Sequence, residues 1–339
     1  FHASPDAWKQ VCFIIGLGIL LVAMGTYRSP AVALMPDVTP KPLRSKANAI
    51  INLMGALGGI IYLIITTFLY KTTADVYVSY LPLFAIVGGI MLAALAVILL
   101  CVDEPKLVAE QRRYEDAHPE DNLTQVTENG ETLPKDVKRS LGFLLASIAL
   151  WFIGYNAIET WFTTFADKMW GMALGDATLC LTIATAGAIC SYIPVGIVAS
   201  RIGRRRTILF GVLLLTACFG SGYVYTLSNN TFHPALYALF ALVGVAWASI
   251  NVNSLPMVVE MCKGSDIGKF TGYYYTASMA AQTVTPIVAG WLLKNVSYSV
   301  LFLYSAIFVA LAFFTMLMVR HGDVKVEAKR GLEAFDVDD

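Results

Sequence analysis

Nine long apolar runs set the terms on which this chain can fold. The hydrocarbon core of a bilayer is about 30 Å thick, and a helix crosses it with about 20 apolar residues. Runs of that length occupy residues 8–34, 47–70, 80–102, 141–165, 177–199, 207–227, 234–258, 270–293 and 298–319. None has the alternation of a transmembrane β-barrel strand. The composition agrees: 57% of the 339 residues are hydrophobic and 14% charged, against about 25% charged in soluble domains. So much apolar surface excludes a soluble enzyme, a nucleic-acid binder and a disordered chain. The zero formal net charge gives no hold on a polyanion. The expected fold is an all-α polytopic membrane bundle. The six cysteines are singletons without a CxxC pair. They read as buried, reduced thiols.

Orientation follows from the basic residues. The loops after runs one, three, five and seven, with the C-terminal tail, hold nineteen Lys and Arg; the opposite side holds four, and Arg28 lies inside a run. The nineteen mark the cytoplasmic side, so the C-terminus is expected inside a multi-pass cell-membrane protein. The polar stretch 103–140 reads as a cytoplasmic linker with a short amphipathic helix near 107–114. The tail 321–339 reads as flexible.

The chain also repeats itself weakly. Shifted by 223 positions, Arg28 falls on Asn251, Asp37 on Glu260, Lys46 on Lys269 and Asn48 on Thr271. Runs one to three thus pair with runs seven to nine in the same orientation. Runs four to six then call for three partner helices upstream of Phe1, on the order of 80–100 residues. The expected whole has twelve helices in two six-helix halves, nine of them present. Residues 1–102 would be helices four to six of the first half, and 141–320 the complete second half.

The loop after run five reads Gly196-Ile-Val-Ala-Ser200-Arg201-Ile-Gly203-Arg204-Arg205-Arg206. It resembles the signature loop of the major facilitator superfamily, G-x-x-x-D-R-x-G-R-[RK], with Ser200 in place of the Asp. Guanidinium groups in such a loop can latch onto helix C-termini and carboxylates. Arg201, Gly203, Arg204 and Arg205 form the candidate latch, with Glu260 as carboxylate partner and Asp37, Arg44 and Lys269 beside it. Plain positive-inside charge is the simpler alternative. Run one ends Tyr27-Arg28-Ser29-Pro30-Ala-Val-Ala33-Leu34-Met-Pro36-Asp37, then Arg44-Ser45-Lys46-Ala47-Asn48. This is similar to the fourth helix and following loop of the glycoside–pentoside–hexuronide and sucrose-symporter branch. The resemblance implies alternating access with cation-coupled symport of a di- or oligosaccharide or glycoside. The melibiose type carries a cation-binding Asp in this helix. Here Arg28 is present without a mid-span Asp, so a proton is expected rather than sodium, with no other cofactor.

Arg28 lies roughly 13 Å below the cytoplasmic end of its helix. An arginine there costs at least about 2.5–3.5 kcal/mol unless it is paired or wet. It either faces a cavity or snorkels to the headgroups. Asn156 and Glu159 share one helical turn, flanked by Tyr155 and Trp161. Amides and carboxylates suit sugar hydroxyls, and rings suit the sugar's C–H face. Glu159 is the best visible proton carrier, though it lies about 28 Å along its helix, where an outer-interface role is equally open. Asn48, Asn52, Trp247, Asn251, Asn253 and Gln282 complete the candidate pathway, with helix–helix hydrogen bonding as the alternative. Gly55, Gly58 and Gly59 read as a close-packing stripe.

No HExxH, Cys/His cluster or Walker A sequence occurs. An enzyme and a self-powered pump are therefore not expected. The expected partners are a sugar and the lipid bilayer, not nucleic acid, and the protein is expected to act as a monomer. A lipid or lysolipid transporter of related fold and a non-transporting membrane sensor stay open.

Overall fold

The computed structural model describes residues 7–40, 43–69, 81–117, 133–172, 174–262 and 266–323. The first six residues, the outer ends of runs two and three, the middle of the linker and the tail beyond 323 lie outside them. Ten helices follow in order: α1 (Ala7–Val38), α2 (Arg44–Leu69), α3 (Leu81–Cys101), α4 (Glu104–Ala117), α5 (Lys135–Trp170), α6 (Leu174–Ile202), α7 (Arg204–Ser228), α8 (Ala235–Val259), α9 (Ile267–Asn295) and α10 (Val300–Leu317). No strand occurs among the described residues. The architecture is a polytopic helical bundle.

Seven of these helices are long and apolar enough to cross a membrane, among the described residues, where nine runs were expected. The two others, α2 and α9, have 26 and 29 residues, ample length for a crossing. They open on Arg44 and Lys46 or Lys269 and carry Asn48, Asn52, Tyr274, Tyr275 and Gln282. Both place these polar residues among long apolar stretches. The linker helix α4 is 14 residues long, longer than the 107–114 expected, and packs on α1.

Helices α5–α10 form a six-helix bundle, with α8 between α6 and α7, and α10 against α5 and α7. Its core is aromatic. Phe162 meets Phe240 at 4.6 Å between ring centroids, and Phe165 meets Trp170 and Phe302 at 4.9 and 5.2 Å. In lipid, helices associate by close packing rather than by escaping water. The tightest crossing is α6 on α8. A Cβ at Gly244 would run into the Ala184 carbonyl, and one at Gly187 would come within 2.6 Å of the Ala241 carbonyl. Among the described residues, no helix crosses at the stripe expected at Gly55, Gly58 and Gly59: nothing lies within 4 Å of a Cβ there.

On the other side, α2 packs on α6 and α8, and α1 packs on α9. Under the 223-residue repeat α1 corresponds to α8 and α2 to α9. The contacts α1 with α9 and α8 with α2 are therefore equivalents, as a two-fold relation requires. Along α1 from Val11 to Tyr27, and along α3 except Leu83, the described large apolar side chains are largely exposed. Such faces suit hydrocarbon or a further helix. Half of the cysteines depart from expectation: Cys180, Cys218 and Cys262 are buried, whereas Cys12, Cys101 and Cys190 are exposed, and all six are free.

Candidate functional site

A cavity of about 340 Å³ lies where α1 and α2 meet α5, α6, α8 and α9. Nine of the ten expected pathway residues line it: Arg28, Asn48, Asn52, Tyr155, Asn156, Glu159, Trp247, Asn251 and Gln282. Asn253 does not. It is fully buried and donates its side-chain amide to the Ser249 carbonyl, on the side of α8 turned from the cavity. One helical residue turns the side chain by 100°, so Asn251 and Asn253 on one helix cannot share a wall.

Each wall has a local cause. On α5, Tyr155 and Glu159 are one turn apart and face the cavity together. Tyr155 stacks flat on Trp247 of α8, with centroids 3.8 Å apart and planes 7° from parallel. Phe152 closes on the far edge of Trp247 at 5.2 Å and 89°. On α2, Asn48 donates Nδ2 to the carbonyls of Asn251 and Val252, at 3.1 and 2.8 Å. The sequence explains the second bond. Pro256 has no N–H to offer the carbonyl four residues earlier, and in a membrane that carbonyl needs another donor. Asn52 accepts from Asn251 Nδ2 at 3.2 Å. The Arg28 guanidinium lies 5.0 Å above the centroid of Tyr275 on α9. That places Arg28 on the cavity wall rather than at a headgroup. Glu159 is the only carboxylate lining the cavity among the described residues.

Tyr192, Tyr274, Tyr275, Ser278 and Thr185 also line the cavity without having been singled out as pathway residues. Ser278 follows Tyr274 by one helical turn, so the helical period was a signal for that face. Tyr274 reaches Ser254 at 3.2 Å.

The basic end is closed by ionic contacts. Glu260, at the C-cap of α8, is fully buried. Its Oε2 meets Arg204 Nη1 at 3.0 Å and Arg44 Nη1 at 3.5 Å. A carboxylate at a helix C-terminus opposes the helix dipole, and two guanidiniums offset it. Arg204 also donates Nε to Ser45 Oγ at 2.8 Å. Arg44 donates to the Pro36 and Thr39 carbonyls at 2.9 and 3.2 Å, which ties the end of α1 to the start of α2. Arg44 comes from α2 and Arg204 from α7, so Glu260 joins the two parts of the molecule. Of the other expected latch residues, Asp37 stands within electrostatic reach of Arg44, while the rest make no contact with Glu260 among the described residues. Arg205 donates to the Leu317 carbonyl at the end of α10, Arg201 and Lys269 are exposed, and Asp37 is half-buried. Gly203, with φ +97°, makes the turn between α6 and α7 that a side chain would resist.

Among the described residues no group of three or more His, Cys, Asp or Glu could hold a metal ion. The arrangement is a polar, aromatic-walled chamber beside a buried ionic closure, suited to holding and releasing a hydrogen-bonding solute.

The chain resembles an uncharacterised MFS-type transporter of Methanocaldococcus jannaschii, 26% identical over 127 residues, which is 38% of this chain and 30% of that relative. The matched stretch is thus under a third of the relative's length. The fold is similar to that of the proton:xylose symporter XylE bound to 6-bromo-6-deoxy-D-glucose, with TM-score 0.58 and 13% identity, over 86% of this chain and 68% of that one. A bacterial homologue of the iron transporter ferroportin, in an outward-facing state, aligns with TM-score 0.49 and 12% identity over 89% of each chain. The family model described as Major Facilitator Superfamily matches residues 3–175 and again 169–336. With nearly the whole length so matched, the chain belongs to the Major Facilitator Superfamily of membrane transporters.

Proposed function

We propose that this chain forms the substrate pathway of a proton-coupled sugar symporter in the cell membrane, taking a di- or oligosaccharide or glycoside by alternating access. The observation that carries the reading is the wall chemistry of one chamber. A flat aromatic stack, Tyr155 on Trp247, faces amides and a guanidinium supplied by α1 and α2 from one part and α5, α8 and α9 from the other. Sugar rings present a C–H face to aromatics and hydroxyls to amides and charged groups. About 340 Å³ is within the usual range of small-ligand sites. Glu159 is the proton carrier in this account, since it is the one lining carboxylate among the described residues. Arg28 takes a substrate hydroxyl and uses Tyr275 as its platform. The basic end faces the cytoplasm, where Glu260 with Arg44 and Arg204 holds the pathway shut until substrate and proton are bound. The solved structure described as a proton:xylose symporter, bound to 6-bromo-6-deoxy-D-glucose, is a precedent for a sugar cargo in this fold, though for a single sugar ring.

Calorimetric titration of the purified full-length protein tests the substrate class. Disaccharides should bind and a lysolipid should not. Trp247→Ala should weaken the disaccharide by about 5- to 15-fold, the loss of about 1–1.5 kcal/mol of ring contact. Lysolipid binding without sugar binding would replace this reading with the lipid carrier.

A further inference from the structure

The residues just past α10 do not hang free. Residues 318–323 fold back as a strap across the basic end, where a flexible tail was expected from 321 onward. His321 Nδ1 lies 2.8 Å from Ser140 Oγ, and its Nε2 lies 3.4 Å from the Asp136 carboxylate on α5. The Arg320 N–H donates to the same Ser140 hydroxyl at 3.3 Å. Gly322, with φ +87°, turns against the Met257 carbonyl; a Cβ there would approach that oxygen to 2.5 Å. The turn delivers Asp323 to the N-terminus of α7. Its Oδ1 accepts the Arg204 N–H at 2.7 Å.

The place is one where the chain needs an acceptor. The N-cap of α7 is Gly203, which has no side chain with which to satisfy the first N–H groups of the helix. Asp323 therefore caps α7 from 119 residues downstream. The fit depends on Gly203, because a Cβ there would lie 2.9 and 3.0 Å from the two Asp323 carboxylate oxygens. The residue whose N–H is capped is also the one whose guanidinium holds Glu260 and Ser45.

We propose that Asp323 is a positioning residue for the latch: through the Arg204 backbone it fixes the guanidinium that closes the basic end, and so sets the balance between closed and open pathway. This inference rests on the alternating-access reading but not on sugar as the cargo. The test reads the two sides of the membrane separately. Ile51 lines the cavity. Ile51→Cys, placed in the full-length protein with its other cysteines replaced by serine, reports access to the chamber by a membrane-impermeant maleimide. In proteoliposomes, Asp323→Ala should raise labelling from the latch side about five-fold and lower it from the opposite side. Five-fold is the factor that matches a typical N-cap deletion. Asp323→Glu, which keeps a carboxylate, should restore a large part of the parent ratio. Rates unchanged on both sides would overturn the proposal. So would rates that rise together on both sides, since a merely loosened fold does that. A failed transport assay with the labelling asymmetry intact would count against the sugar and leave Asp323 in its role.

Discussion

The Arg28 guanidinium rests 5.0 Å above the ring of Tyr275, and the residues 223 positions from each, Asn251 and Asn52, also touch, through a 3.2 Å hydrogen bond. One contact is the repeat image of the other. Two elements related by a two-fold axis must exchange such contacts in pairs, and α1 with α9 and α8 with α2 do so. The chemistry has diverged while the placement has not. On one side a cation sits on a ring; on the other two amides bond. The asymmetry gives the chamber one charged wall and one neutral wall.

Arg28 should therefore matter through both charge and shape. Arg28→Ala should weaken substrate binding about 12-fold, or about 1.5 kcal/mol, the lower end for a hydrogen bond to a charged group. Arg28→Lys should recover only part of it, because an ammonium lacks the planar fork. Calorimetric dissociation constants for the three proteins check this.

Glu260 should be costly to neutralise. Glu260→Gln leaves two buried guanidiniums without their carboxylate, and removal of one partner from a buried pair costs about 3–5 kcal/mol. Arg44→Lys should cost less, since Arg44 lies at 3.5 Å and Arg204 at 3.0 Å from the shared oxygen. Thermal unfolding in detergent should rank Glu260→Gln below Arg44→Lys, and both below the parent.

Asn48 should be structural as well as part of the wall. Asn48→Leu keeps the branched shape but strands the Val252 carbonyl that Pro256 leaves without its helical donor. An unsatisfied buried polar group costs about 1–3 kcal/mol. The double variant with Pro256→Ala restores an N–H in α8 and should regain stability relative to Asn48→Leu alone. Equal losses in the two backgrounds would contradict the assignment.

The two glycine patterns should behave in opposite ways. Gly244→Ala forces α6 and α8 apart and should destabilise by about 1–3 kcal/mol. Gly55→Ala meets nothing within 4 Å and should be neutral or slightly stabilising, since alanine favours the helix. Thermal melts of the two variants decide it.

These cases also mark how far the sequence could be read. Membrane helices and their family were legible because apolar length and the Gly196–Arg206 loop are local signals. Arg28, Asn48 and Asn251 were legible as pathway candidates because a polar residue inside an apolar run must face water or a partner, and each lines the cavity. Asn253 looked the same by type, and only the 100° turn per residue sends it to the other side. The Gly55–Gly59 stripe shows a different limit. Small residues permit close approach, but the pattern does not say that another helix comes. Tyr192, Tyr274 and Tyr275 were harder still, since tyrosine in a membrane segment also reads as an interfacial anchor. The contact of Asp323 with Arg204 could not be read at all. It spans 119 residues and depends on a backbone turn at Gly322.

The most direct test is uptake of labelled disaccharides by proteoliposomes holding the full-length protein, with and without an imposed inward proton gradient. The account expects accumulation above the outside concentration under the gradient, abolished by a protonophore. It also expects Glu159→Gln to lose that accumulation while keeping sugar-for-sugar exchange. If no sugar crosses under either condition, the symporter account is wrong.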